Sequence, residues 1–307
     1  MHTRHAVAVF LLAATELSVS QNKECFPDKC HNYAMLRYYR ELTCHPYNNS
    51  DACCPAAFDC SFLDVIDDKK CQYKGIVYEK GTVLYDEVED PCAAECRCTE
   101  TLNGVSFECT GVVCPEAEVY GQLPPNCFLK FDATHCCATG LHCLPDGNEE
   151  ELETEPTMKC IYNGYEHTEG QYLSVDYPLC VVCVCEKGFD GTLNGPWCHK
   201  YTCDMMIRFK VAHLKHCAPI FAEEFSCCPH ALHCPVGSDY VLQSSNHTSS
   251  ADELHCSFGH LKLRRGDQLV SPGICVKCRC DVPPFVTCYW HRYEGCKFPN
   301  ANMYGAR

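Results

Sequence analysis

The stretch CQYKGIVYEKGTVLYDEVEDPCAAECRCTETLNGVSFECTGVVC, residues 71–114, opens a cysteine series that continues through Cys127, the adjacent pair Cys136-Cys137 and Cys143. In order it reads Cys71, the cluster Cys92, Cys96 and Cys98 (C-x3-C-x-C), Cys109 and Cys114 (C-x4-C), Cys127, and CC-x5-C. The same order of ten returns at Cys160, Cys180, Cys183, Cys185, Cys198, Cys203, Cys217, Cys227, Cys228 and Cys234. Residues between the cysteines agree as well. Ten past Cys71, Cys160 and Cys256 stand Gly81, Gly170 and Gly266, and thirteen past stand Leu84, Leu173 and Leu269. A glycine at fixed offset marks a backbone position needing positive φ, and the leucine three residues on is a core anchor. Residues 101–104 and 192–195 both read Thr-Leu-Asn-Gly, where Asn-Gly favours the type I′ turn of a two-residue hairpin. The fold class expected from these signals is small, disulfide-rich and mainly β, in tandem modules with little helix.

Outward from this stretch the series continues in part. Cys25, Cys30, Cys44, Cys53, Cys54 and Cys60 repeat positions five to ten, and Cys256, Cys275, Cys278, Cys280, Cys288 and Cys296 repeat positions one to six. Together the four groups hold all 32 cysteines. Two frames fit. One has a partial module at 21–62, whole modules at 71–143 and 160–234, and a partial module at 256–307. An acidic linker at 144–159 and a polar one at 235–255 then join modules arranged like beads. The other frame begins each unit at the Cys25 position and leaves Cys288 and Cys296 over. Helix signals are weak: 31–42 carries Tyr33, Leu36 and Tyr39, and 205–214 reads either way. Residues 75–78 and 172–175 read as strands.

Residues 1–20 have the marks of a secretory signal: Arg4, an apolar run from Ala6 to Ala14 too short to span a bilayer, and Ser18-Val19-Ser20 before the expected cleavage. No later run reaches the ~18 apolar residues of a membrane span. The expected product is secreted and extracellular, where dense disulfides replace a large hydrophobic core. C-x2-C also occurs in zinc sites, but a signal segment and a complete ten-cysteine repeat favour disulfides, so no metal or cofactor is expected. Net charge is -15, with 40 acidic against 25 basic residues, which disfavours nucleic acid and anionic membrane and favours a basic partner surface.

The arrangement resembles the von Willebrand factor type C module, a lone cysteine, a glycine, C-x2-C-x-C, two spaced cysteines, another, then CCxxC. The chain departs from it in the C-x3-C opening at Cys92 and in the CC-x5-C ending of every copy, an ending more like the small secreted type C proteins of arthropods. The resemblance implies a three-stranded sheet followed by an irregular disulfide-held lobe, without catalytic activity. It implies the pairs Cys71-Cys98, Cys92-Cys136, Cys96-Cys109, Cys114-Cys137 and Cys127-Cys143. In the second whole unit it implies Cys160-Cys185, Cys180-Cys227, Cys183-Cys198, Cys203-Cys228 and Cys217-Cys234. In the partial units it implies Cys30-Cys54, Cys44-Cys60, Cys256-Cys280 and Cys278-Cys288. Cys25, Cys53, Cys275 and Cys296 are left over. Loop-closure entropy favours Cys25-Cys53 and Cys275-Cys296 by about 1.5 to 2 kcal/mol. The rival is a bond from Cys53 to Cys275 that closes the chain into a ring.

Several other groupings stand out. Arg265-Gly266-Asp267 is an RGD tripeptide open to an integrin reading, although the repeat already demands Gly266. His213, His216, His230 and His233 cluster in sequence, and read more readily as surface histidines than as metal ligands. Asn48 and Asn246 head glycosylation sequons. There is no G-x-S-x-G, H-E-x-x-H or phosphate loop, so no catalytic residue is expected. The functional expectation is a non-enzymatic extracellular protein-binding protein, its ligand a growth factor or an immune or coagulation factor. The alternatives are an integrin-binding adhesion ligand and a disulfide-stapled protease inhibitor.

Overall fold

The three repeat glycines take the same turn. In the computed structural model, which describes residues 30–47, 54–67, 69–85, 87–101, 104–116, 123–124, 127–143, 158–173, 175, 180–245 and 254–291, Gly81, Gly170 and Gly266 have φ of 92°, 83° and 90°. Each donates its amide to the carbonyl of the fourth cysteine of its unit, Cys98, Cys185 and Cys280, at 2.8, 2.8 and 2.7 Å. Those cysteines in turn donate to the residue after the glycine, Thr82, Gln171 and Asp267. They are also bonded to the first cysteine of the unit, Cys71, Cys160 and Cys256. A left-handed residue, two backbone hydrogen bonds and a disulfide therefore build one corner three times. Leu84, Leu173 and Leu269 are buried.

Four segments carry the elements. The first holds helix α1 (Tyr33–Glu41) and the hairpin of β1 (His45–Pro46) and β2 (Phe58–Asp59). The second begins with the hairpin of β3 (Cys71–Tyr73) and β4 (Ile76–Tyr78). It continues as a three-stranded sheet of β5 (Val83–Leu84), β6 (Ala93–Thr101) and β7 (Gly104–Gly111), then the hairpin of β8 (Cys127–Lys130) and β9 (Gly140–Cys143). The third has hairpin β10 (Lys159–Tyr162) with β11 (Tyr165–Thr168) and the pair β12 (Val181–Cys183) with β13 (Cys198–Lys200). Helices α2 (Met205–Arg208) and α3 (Val211–His216) follow, then hairpin β14 (Ala218–Phe221) with β15 (Ala231–His233). The last comprises β16 (Tyr240–Leu242), hairpin β17 (His255–Phe258) with β18 (Leu261–Arg264), and β19 (Gln268–Val270), β20 (Val276–Arg279) and β21 (Thr287–Trp290). The fold is mainly β and disulfide-rich, and no described helix is long and apolar enough to cross a membrane.

The two Thr-Leu-Asn-Gly stretches behave differently: the first joins β6 to β7 through a two-residue connection, and the second does not close a hairpin. Gly104 already stands in the ladder opposite Thr101, so the loop centre falls on residues 102 and 103, outside the described residues. In the second copy β12 and β13 are joined by a long loop. The Trp197 indole covers Gly195 so closely that a Cβ there would lie 2.2 Å from a ring carbon, and its Nε1 donates to the Thr192 carbonyl at 2.7 Å. Packing of one tryptophan overrides a local turn preference. Among the described residues, two-residue turns with positive φ at both positions are Lys74-Gly75 and Asn163-Gly164. Among the described residues of the expected strand at 172–175, Tyr172 forms a bridge to Val184.

The units do not sit like beads. One apolar core takes buried residues from all four segments, among them Leu36 and Tyr39, Tyr73 and Phe107, Met205 and Leu214, and Val282 and Phe285. Helix α1 is its centre: Tyr33, Ala34, Met35, Leu36, Tyr38 and Tyr39 are all buried. Tyr38 meets Phe221 and Phe285 edge-on at 6.4 and 6.3 Å. Residues 235–255 are likewise more than a connector, since β16 pairs with β19, Tyr240 opposite Val270. A second crossover completes that sheet, whose order is β15-β14-β21-β20-β19-β16: β14 lies parallel to β21, Ile220 opposite Cys288.

The disulfides follow one scheme. In both whole units the first cysteine bonds the fourth, the second the eighth, the third the fifth, the sixth the ninth and the seventh the tenth. Cys30–Cys54, Cys44–Cys60, Cys256–Cys280 and Cys278–Cys288 are formed in the partial units. These are the partners the type C resemblance implies. Cys275 is disulfide-bonded too. The expected pairings of Cys25, Cys53 and Cys296 fall outside the described residues.

Candidate protein-binding groove

Where the second and third segments meet, a groove of about 940 Å³ runs between strand β7 and helices α2 and α3. Its wall on one side is the β6–β7 hairpin, fixed by the Cys96–Cys109 bridge across the two strands. The other wall is held against α1. Arg37 donates to the Tyr201 carbonyl and pairs with Glu41 at 3.0 Å, and Glu41 Oε2 accepts from the Cys203 amide at 3.2 Å. This clamp places Asp204, in the left-handed region at φ 44°, as the residue from which α2 starts.

Asp204 is buried, 8 % exposed. Its Oδ1 accepts from the Tyr73 hydroxyl at 2.8 Å, while Oδ2 is buried and has no hydrogen-bond partner. Burial pushes the Asp204 carboxyl above its ordinary range, reinforced by Asp90 and Glu89 and opposed by the Tyr73 hydrogen bond and by the Lys74 ammonium. The Tyr73 phenol is raised by its own burial and then by Asp204. Asp204 lines the large groove and also a cavity of about 50 Å³ shared with Glu41, Tyr73, Lys74 and Glu89. Around the groove stand Asp90, Glu95 and Glu108 with Arg97, Arg208 and Lys210. Arg97 pairs with Glu95 at 3.6 Å, and Arg208 lies over the Phe209 ring. Burial lowers the His213 imidazole at the rim, and Lys210 lowers it further.

The residues singled out from sequence lie elsewhere. Asp267 of the RGD tripeptide is 2 % exposed. Its Oδ1 accepts from the Ser244 amide at 2.9 Å and its Oδ2 from the Arg264 amide at 2.8 Å, so the carboxylate closes a turn and is turned away from solvent. Arg265 donates to the Asp281 carbonyl. The histidine cluster is not brought together: His233 is buried against Ser271 Oγ at 2.7 Å, while His216 and His230 are exposed. Among the described residues the one group of possible metal-ligand atoms within 4.8 Å of one another is Cys114, Cys136 and Cys137, whose sulfurs are in disulfides. The segment 1–20, the acidic run 149–155 and the sequons at Asn48 and Asn246 lie outside the described residues.

Sequence reasoning missed the groove because it treated the units as separate. One signal was present: the apolar run Met205-Met206-Ile207, separated from Cys203 by Asp204 alone, which has no counterpart after Cys114. Comparison with protein-family models, curated proteins and solved structures gives no match.

Proposed function

We propose that the chain is a secreted, non-enzymatic binding protein for an extracellular protein ligand, and that its ligand site is the groove between β7 and α2–α3. The observation that carries this reading is the groove itself, an open cleft at the junction of two units, flanked by a strand edge and by a buried carboxylate oxygen without a partner. The cysteine order, its resemblance to the type C module and the net charge of -15 support a non-catalytic extracellular role and a basic ligand surface. The burial of Asp267 counts against the integrin alternative.

The test is affinity capture from extracellular fluid on the immobilised full chain, with binding then measured on each purified candidate. A protein ligand that saturates with defined stoichiometry is expected. A chain that retains no protein, or that turns over a substrate in a way a single substitution abolishes, contradicts the reading.

A further inference from the structure

The backbone of β7 has an open side that can be assigned residue by residue. Cys98 on β6 donates its amide to Thr82 and accepts from Gly81, so both of its polar backbone groups face β5. Cys98 stands opposite Phe107, which makes this a pair without mutual hydrogen bonds. Phe107 therefore points its own N–H and C=O away from β6. Alternation along the strand extends this to Val105 and Cys109, while Ser106 and Glu108 face β6. The Cα separation of 3.9 Å between Cys96 and Cys109 agrees, since pairs of that kind are the closer ones. Among the described residues β7 is the last strand of its sheet.

The same molecule shows what such an edge takes. Strand β21 is the counterpart of β7 in the last segment, and Cys288 is the fifth cysteine of its unit as Cys109 is of its own. Cys288 bonds Cys278 across the sheet with Cα atoms 4.0 Å apart, so its backbone also faces outward. That outward edge is filled by β14, running parallel, with Ile220 opposite Cys288 and Phe221 opposite Tyr289. Among the described residues no strand pairs with that edge of β7; α2 lies beside β7, and the groove runs between them and over the Glu95, Arg97 and Thr99 face of β6.

Charge indicates which strand would fit. Asp204 is more than nine-tenths buried, its Oδ2 has no hydrogen-bond partner, and it lines the groove. A cationic side chain arriving from the groove would supply the missing partner. Glu108 on β7 and Asp90 add negative charge. The cations Arg97 and Arg208 are already engaged by Glu95 and by the Phe209 ring, and Lys210 and His213 also line the groove.

We propose that β7 receives an extended, basic segment of a protein partner as an added parallel strand, with a lysine or arginine of that segment meeting Asp204. Main-chain hydrogen bonds to Val105, Phe107 and Cys109 would give affinity, and alternate side chains specificity. This rests on the protein-binding reading above and names its mode and the chemistry of the partner.

The test uses three probes on the full chain: an eight-residue peptide of alternating lysine and valine, the matching glutamate–valine peptide, and the lysine peptide N-methylated at every second residue. The lysine peptide is expected to bind at least tenfold more tightly than either other peptide, and Asp204→Asn to weaken it at least tenfold. Val105→Pro removes one outward N–H without touching the β6 ladder and is expected to do the same. Equal binding of the plain and N-methylated lysine peptides overturns strand addition, and needs no variant that must fold. Equal binding of the lysine and glutamate peptides, or no loss in Asp204→Asn, overturns the basic-partner assignment. If a captured protein ligand binds both variants as it binds the native chain, this inference fails while the protein-binding reading stands. If no protein ligand is retained at all, that reading fails as well.

Discussion

The Tyr39 hydroxyl accepts a hydrogen bond from the Phe285 amide at 2.9 Å across 246 residues of chain, and donates to the Val282 carbonyl at 2.6 Å. Its ring lies between Phe58 at 4.4 Å and Phe285 at 5.8 Å, and the Phe58 amide donates to the Pro283 carbonyl. The two partial units at the ends of the sequence are thereby packed on each other.

Tyr39→Phe keeps the ring stack and leaves a buried amide and a buried carbonyl without their partner. The cost is expected at about 2 kcal/mol. Denaturant unfolding with disulfides intact measures it, and the Phe285 amide should exchange faster with solvent. An unchanged midpoint would show that the ends are not joined through this residue.

Asp204→Asn should separate stability from binding. The folded pKa of Asp204 is raised by burial, so the folded state holds its proton more tightly than the unfolded chain does. Stability then falls as pH rises from the unfolded value of about 3.9 through the raised one. Asparagine can still accept from the Tyr73 hydroxyl but carries no charge. Its melting temperature is expected to equal or exceed the native one at pH 7, with the difference vanishing near pH 3. A variant much less stable at neutral pH would mean that the carboxylate is needed for folding.

Asp267→Ala strips the acceptor from the Ser244 and Arg264 amides. Destabilisation of about 2 to 4 kcal/mol is expected. Cell adhesion to native protein should be no greater than to Asp267→Asn of matched fold. Adhesion lost in the asparagine variant while its melting curve is unchanged would restore the integrin reading.

Peptide mapping of the unreduced protein should recover Cys92 with Cys136 and Cys114 with Cys137 as separate links, and Cys180 with Cys227 and Cys203 with Cys228 likewise. Crossed partners within either vicinal pair contradict the scheme. The same digest identifies the partner of Cys275 and so decides between local closure and the ring.

What could be read from the sequence was what repeats. Gly81, Gly170 and Gly266 were visible because a left-handed turn demands glycine at a fixed offset, and the leucines because each anchors the same corner. The central role of α1 was hidden. Tyr33, Leu36 and Tyr39 mark only one face, whereas Ala34, Met35 and Tyr38 are also buried, against segments far away in sequence. Strand β16 was hidden as well, because a three-residue strand flanked by polar loops has no pattern until β19 supplies its partner. The groove and its buried Asp204 arise between units, where no internal period points.

Amide hydrogen exchange along β7 tests the account most directly. In the free protein Val105, Phe107 and Cys109 should exchange quickly while Ser106 and Glu108, hydrogen-bonded to β6, exchange slowly, and the fast set should become protected when a protein ligand binds. Uniform protection of β7 in the free protein, or bound ligand with no change at those three amides, would contradict it.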